Sequence, residues 1–347
     1  MKRKGKILLS LLVIVLLALA FTIAGTYSMF KSEIAAVKSI AVIEDDTYHM
    51  TFRGDYGFDE FLEGGGASSD AMVASYLTGF LSKGFYRSTV ETEDGGCSVI
   101  SDGKRTGRNF DWEDAPVMVV SAYPDGGYAS VSTCNLAFLG FGEEFAPDDG
   151  FMSGLMSIAS IYVPLDGMNE KGLTVADLVI DTPMRIAQDS GKPDLTITTL
   201  IRLLLDRAAT VDEALQLIKK YDIHSSADMM HHLAISDASG RSVAVEFFEN
   251  EVYVTETPVV TNFYLAEACP LYLTGSEESH LRYELLQPYI GADDYAPALE
   301  CVRQGNMEDG FDITLWSVIF DREKLTCTYN FRENFDESWS IDVLSSR

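Results

Sequence analysis

The sequence predicts an α+β fold, in which sheets are covered by helices, on three observations. From residue 97 onward, strand-like segments dominate and are interrupted by a single helical block, so the order is strands, helices, strands and not a βαβ repeat. That block, "TITTLIRLLLDRAAT" followed by "VDEALQLIKKYD", has helical apolar periodicity in both halves. A hydrophobic fraction of 47% in 347 residues suffices for one large domain with a full core, or for a domain with an appendage.

Taken in order, the chain opens on basic "MKRKGK" and then an uncharged apolar run, Ile7 to Gly25. About 20 apolar residues are needed to cross a bilayer as a helix. Positive charge before the run, with Lys31 well after it, places the N-terminus in the cytoplasm and the rest outside. A cleaved signal peptide has an apolar region of about 7–15 residues. No small-x-small site follows Gly25, so residues 1–27 are expected to be an uncleaved transmembrane signal anchor in the cell membrane. Were it cleaved, the protein would be secreted.

Residues 28–96 read as a small α/β module of their own. "VKSIAVIEDDTYHMTF" alternates apolar and polar residues around Asp45-Asp46, a hairpin from Val37 to Phe52. Gly64 to Asp70 is a short flexible break in which Ser69 is placed to cap a helix. That helix would run to about Lys83, with Gly84 as its stop. "ETEDGG" then reads as an exposed, cleavable loop. Beyond it, Thr210 and Glu213 supply a capping box for the second helix of the block. "HHLAISD-ASG-RSVAVEF" and "EVYVTETPVV" form a meander with Gly240 in its first turn, and "TLWSVIFD-REK-LTCTYNF" forms a hairpin near the C-terminus.

A net charge of −27 with no Lys/Arg stripe repels phosphate backbones and excludes nucleic acid as a partner. Five cysteines are an odd number for a disulfide-permissive compartment, so at least one is free or pairs with another molecule; Cys301 with Cys327 is a conceivable bridge. No C-x-x-C pair exists, and neither metal nor cofactor is expected.

The candidate chemistry centres on "CSVISDGKRTGRNFDW", a hairpin turning at Asp102-Gly103. With a two-residue loop, Cys97 lies opposite Arg108. With a four-residue loop, it faces Phe110 and Arg108 is its diagonal neighbour. In both registers Arg108 shares a face with Cys97, where a guanidinium lowers a thiol pKa. Asp111 has the opposite parity and reaches the same place only through a bulge or a strand-end bend. No histidine is marked as a partner. His231 and His232 are adjacent on a strand and point to opposite faces, and His49, His224 and His280 are scattered. The cysteine also starts a strand and not a helix, against a papain-like site. The chain can make its own base: breaking Gly96–Cys97 would give Cys97 an α-amine of pKa about 7.7–8.0. Gly96 permits the backbone geometry that such a self-cleavage needs.

At this point the sequence resembles the choloylglycine hydrolase family of N-terminal-nucleophile hydrolases. That family includes bile-salt hydrolases, penicillin V acylases and, more distantly, acid-ceramidase-like amidases. The resemblance runs from Cys97 to the C-terminus in the family's order. "C-x10-RNFD" resembles the nucleophile hairpin and implies roles for Cys97, Arg108 and Asp111. "DGMNEKGLTVADL" (Asp166 to Leu178) resembles the N-E-x-G-L strand segment, "VVTNFYL" the strand with the oxyanion asparagine, here Asn262, and "ESHLRYELL" the segment with a second arginine, here Arg282.

The resemblance implies a four-layer αββα sandwich over 97–347, preceded by the anchor and a pro-segment or small subunit, 28–96. Two departures stand out. Bile-salt hydrolases have an asparagine where this chain has Val179, so only a backbone N–H remains there as a donor. The lead of residues 1–96 matches instead the ceramidase-like layout, in which an upstream segment cleaves itself off and stays associated.

Chemistry and resemblance together imply a cysteine amidase acting on a linear amide through an S-acyl enzyme. Asn262 Nδ2–H and the Val179 N–H would hold the oxyanion, each donor typically worth ~10²–10³ in rate. Asp111 would position the α-amine, with Arg108 and Arg282 balancing the thiolate and Asp111. Apolar loops supply Phe138, Phe141, Met152, Met156 and Ile161 for an apolar acyl group, although such residues also pack cores. The expected partner is thus a small N-acyl amide, besides the membrane met through the N-terminal helix; an oligomer is left open. An acyltransferase on the same fold and a catalytically silent surface binding protein are the alternatives.

Overall fold

The computed structural model describes residues 28–81, 96–307 and 313–345. No helix among the described residues is long and apolar enough to cross a membrane. The run from Ile7 to Gly25, the helix stop at Gly84 and loop residues 91–95 lie outside them.

A nine-stranded sheet runs in the order β1 (Ala41–Glu44), β2 (Thr47–Arg53), β5 (Val117–Tyr123), β6 (Ser130–Asn135), β7 (Asp166–Asn169), β8 (Thr174–Ile180), β11 (Met230–Ser236), β12 (Ser242–Phe248) and β13 (Glu251–Glu256). A six-stranded sheet runs β14 (Val259–Thr261), β3 (Gly96–Ser101), β4 (Arg105–Trp112), β15 (Ile313–Asp321), β16 (Thr326–Phe331) and β17 (Trp339–Asp342). Short β9 (Asp194–Thr196) and β10 (Asp222–His224) pair with each other. The inner faces meet through Val99, Phe110, Trp316 and Phe320 on one side and Val117, Val131, Met168 and Leu178 on the other.

The outer face of the larger sheet is covered by α5 (Ile197–Arg207) and α6 (Val211–Ile218). That of the smaller sheet is covered by α7 (Glu277–Leu286) and α8 (Ala296–Cys301). The layers are therefore helices, sheet, sheet, helices. The predicted meander and C-terminal hairpin are present. Of the predicted capping box, Thr210 Oγ1 does accept from the Glu213 N–H, while Glu213 reaches one residue further back, to the Ala209 N–H.

The N-terminal segment departs from expectation. Val37 belongs to a helix, α1 (Lys31–Ser39), and the hairpin begins only at Ala41. Nor do residues 28–81 stand apart: β2 pairs in parallel with β5, and Tyr56 Oη donates to Asp206 of α5 at 2.5 Å. After α2 (Phe58–Glu63), the glycine stretch is pinned and not flexible. Gly66 bridges Asp194 at φ +71°, where an added Cβ would sit 1.9 Å from the Asp194 carbonyl oxygen, so only glycine fits. Ser69 then caps α3 (Asp70–Leu81), its Oγ 3.4 Å from the Met72 N–H. All five cysteines are free, which removes the conceivable Cys301–Cys327 bridge.

Candidate active site

The β3–β4 hairpin adopts the four-residue loop. Ser101 pairs with Thr106, Cys97 with Phe110 and Val99 with Arg108. The Asp102 carboxylate holds the loop by accepting the Lys104 and Arg105 N–H groups at 2.6 Å. Side-chain alternation places Cys97, Val99 and Phe110 between the two sheets, whereas Ile100 faces the helices. Arg108, diagonal to Cys97, shares the inner face, and its Nη2 is 3.4 Å from the Cys97 Sγ. The same nitrogen donates to the Asp177 carbonyl at 2.8 Å, and Nη1 lies 3.1 Å from the Asp166 carboxylate. The buried cation is flanked by the Phe110 and Trp316 rings.

Asp111, one residue out of phase, points into the helix layer. It accepts from Arg282 Nη1 of α7 at 3.0 Å, from Thr314 Oγ1 at 2.6 Å and from Gln304 Nε2 at 3.3 Å. Its link to the cysteine is indirect. Arg282 Nη2 donates to Asn262 Oδ1 at 2.8 Å, and that oxygen also accepts the Cys97 backbone N–H at 2.8 Å. In the uncleaved chain, then, the Cys97 nitrogen is held by Asn262, with Asp111 one step behind through Arg282. Arg108 balances Asp166, not Asp111.

The two residues expected to hold the oxyanion meet, but through the Val179 carbonyl and not its N–H. Asp177 directs its N–H to Leu165 and its carbonyl to Arg108, so this end of β8 presents backbone groups to the edge beyond which β7 has ended. Val179, two residues on, faces the same way. Its carbonyl takes the Asn262 Nδ2–H at 2.5 Å, so that donor is occupied in the uncleaved chain.

Burial decides the charge state of the thiol. Desolvation pushes Cys97 up to about 12, and although Arg108 and Arg282 pull it down, Asp111 and Asp177 add to the rise. Arg108 thus lowers the thiol's pKa as expected, yet in the uncleaved chain a fully buried sulfur loses more in hydration than one guanidinium returns. Desolvation also raises Asp111, to about 6, against the opposing pull of Arg282, Thr314 and Gln304.

A cavity of about 740 Å³ is lined by Phe110, the strand partner of Cys97. Val179, Trp112, Phe138 and Leu165 join Phe110 on its wall. Of the five apolar residues expected there, only Phe138 lines it, with its ring edge-on to Trp112 at 5.0 Å. Phe141 stacks on Phe145 in the core, where Ile161 is also fully buried. Met152 and Met156 are exposed on α4 (Phe151–Ser157), away from the cavity.

Two groups escaped the sequence reading. Asp166 and Asp177 both lie within the quoted "DGMNEKGLTVADL" motif, the one signal that pointed to them. His231 has Asp177 at 2.9 Å from Nδ1 and the Ser226 carbonyl at 2.7 Å from Nε2, on the cavity wall. Among the described residues no cluster suited to a metal ion is present.

With this geometry in place, residues 101–263 match the model of the linear amide C-N hydrolases, choloylglycine hydrolase family. The match spans Arg108, Asp111, Val179 and Asn262, stops four residues short of Cys97 and ends before Arg282. Two solved variants of the conjugated bile acid hydrolase from Clostridium perfringens are similar in structure. One has a TM-score of 0.52 at 18% identity, covering 71% of this chain and 92% of that one. The other has a TM-score of 0.53 at 17% identity, covering 72% and 94%. Penicillin V acylase from Agrobacterium tumefaciens gives 0.48 at 18% identity, covering 72% and 86%. At such identities the likeness is one of fold. No curated protein matches.

Proposed function

We propose that this chain, whose residues 101–263 carry the choloylglycine hydrolase signature of linear amide C–N hydrolases, is a cysteine amidase that cuts itself before Cys97 and then cleaves N-acyl amides. The observation that carries the reading is the 2.8 Å hydrogen bond from the Cys97 backbone N–H to Asn262 Oδ1, with the thiol beside Arg108 on the other side of the same residue.

In the first step the Cys97 thiol adds to the Gly96 carbonyl, its proton passes to the departing Cys97 nitrogen, and water hydrolyses the resulting thioester. The new α-amine already has its acceptor in Asn262 Oδ1, which Arg282 fixes in orientation. With a pKa about 7.7–8.0 this amine takes the thiol proton, the role that no histidine fills. The thiolate attacks the substrate carbonyl. The Val179 N–H and the Asn262 Nδ2–H, released from the Val179 carbonyl, hold the oxyanion. The α-ammonium protonates the leaving amine, and water frees the acid from the S-acyl enzyme. Apolar cavity walls favour an apolar acyl group. Residues 1–27 would tether this domain to the outer side of the cell membrane.

The test is the denaturing intact mass of residues 28–347 beside its Cys97→Ala form. The expected result is a split between Gly96 and Cys97 in the first and a whole chain in the second, with amide hydrolysis only in the first. A parent chain that stays whole and inert toward N-acyl amides overturns the reading.

A further inference from the structure

We infer that the segment upstream of Cys97 is a permanent wall of the acyl cavity, and that Val73 and Leu77 of α3 set the size of acyl group the cavity takes. The inference rests on the reading of Cys97 as nucleophile. The cavity lies between two parts of the chain. Phe110, Trp112, Phe138 and Val179 close it on the side of the nucleophile, and Ser69, Asp70, Val73 and Leu77 are on its wall from α3. Val73 and Leu77 are four residues apart, one helical turn, so they stack on a single face. Both are buried in the core that continues into α5.

Three ties hold this helix in place, and none involves the Gly96–Cys97 bond. The Asp70 carboxylate accepts the Ala227 N–H at 2.6 Å across the cavity mouth. Gly66 bridges Asp194. Tyr56 bonds Asp206, while its carbonyl accepts from Tyr162 Oη at 2.8 Å. Behind them β2 is an integral strand of the larger sheet. Cutting the chain before Cys97 therefore leaves α3 where it is. Its two apolar side chains become a fixed stop for whatever apolar group enters from the nucleophile's side.

The experiment uses Cys97→Ala protein, residues 28–347, so that binding is read without turnover. Straight-chain carboxylates from butyrate to palmitate displace an environment-sensitive apolar fluorophore from the cavity. Val73→Trp and Leu77→Trp should each weaken the longest chains about tenfold while sparing the short ones, since a few displaced methylenes carry that much affinity. Should either tryptophan variant fail to fold, Val73→Ala and Leu77→Ala should shift the preference toward longer chains. In the Cys97-containing protein, the two fragments should co-elute after cleavage until denaturant is added.

A chain-length profile unmoved in all four variants overturns the inference, as does the absence of displacement by any chain, or a segment that leaves while binding persists. Failure of the amidase reading looks different: the profile moves as stated, but the Cys97-containing protein neither cuts itself nor hydrolyses amides.

Discussion

Two buried arginine–aspartate pairs flank Cys97, one on each face of the β3–β4 hairpin, and they differ in what surrounds the acid. Between the sheets, Arg108 meets Asp166 at 3.1 Å; in the helix layer, Arg282 meets Asp111 at 3.0 Å. Asp111 has two further donors close by, Thr314 and Gln304. For Asp166 the further help comes from Trp316 Nε1 at 2.7 Å and from Thr133. The cations are also aimed differently. Arg108 reaches the sulfur itself, whereas Arg282 reaches the Asn262 carboxamide that holds the Cys97 backbone nitrogen. One pair touches the Cys97 sulfur and the other the group that holds its backbone nitrogen, though both look alike as buried ion pairs.

The largest effect should come from breaking the inter-sheet pair. Arg108→Met leaves the fully buried Asp166 carboxyl, whose pKa burial already raises, without its cation, a loss of about 3–5 kcal/mol of stability. Adding Asp166→Asn to the same chain should recover most of it, because an asparagine can still accept from Trp316. Urea unfolding of the two variants checks this. Equal instability in the single and double variants would mean that Arg108 stabilises through its contacts with the Phe110 and Trp316 rings, not through charge.

Arg282→Met should cost less stability, about 1.5–3 kcal/mol, since losing Arg108 also forfeits its contacts with the Phe110 and Trp316 rings and its bond to the Asp177 carbonyl. Its effect on self-cleavage should be out of proportion, because Asn262 loses the donor that fixes its carboxamide. The pH profile sharpens the contrast. Asp111 titrates near 6 in the fold against 3.8 as its ordinary value, so the folded state binds its proton more tightly. Stability contributed by that proton is present at low pH and lost as pH rises from about 4 through about 6. In Arg282→Met the carboxyl should rise further and the loss should extend to higher pH. An unchanged profile would put the Asp111 charge under the control of Thr314 and Gln304 instead.

The difference between the pairs also marks where the sequence was readable. Strand parity is local, so the shared face of Cys97 and Arg108, and the out-of-phase position of Asp111, followed from counting along one hairpin. Motif order then brought Asn262 and Arg282 to the same place, as the hydrogen bonds bear out. Which acid balances which arginine depends on how two sheets and a helix layer stack, and no local pattern encodes that. The cavity was least legible. Phe138 and Phe141 look equivalent in "LAFLGF", yet one lines the cavity and the other packs on Phe145, because the opposite wall comes from α3. The pairing of β2 with β5 was hidden for the same reason: it joins residues far apart in the chain, with α2, α3 and the β3–β4 hairpin between them.

The smallest expected effect concerns a third charged pair, His231 with Asp177, on the cavity wall. Both ring nitrogens face acceptors, the Asp177 carboxylate and the Ser226 carbonyl, an arrangement that favours the doubly protonated ring. Burial alone would lower its pKa. Asp177, the Ser226 carbonyl and the more distant Asp70 outweigh that and hold it above 6.5. A raised histidine contributes stability that is fully present below 6.5 and is lost as pH rises through the folded value. His231→Gln should therefore cost about 1 kcal/mol at acidic pH, and the gap from the parent should close as pH rises past neutrality. Chemical denaturation of both proteins across that range reads the gap directly. A gap that stays flat would mean that the ring is neutral in the fold, leaving Asp177 as the unbalanced charge nearest Arg108. It would then join Asp166 as a second acid competing with the Cys97 sulfur for Arg108.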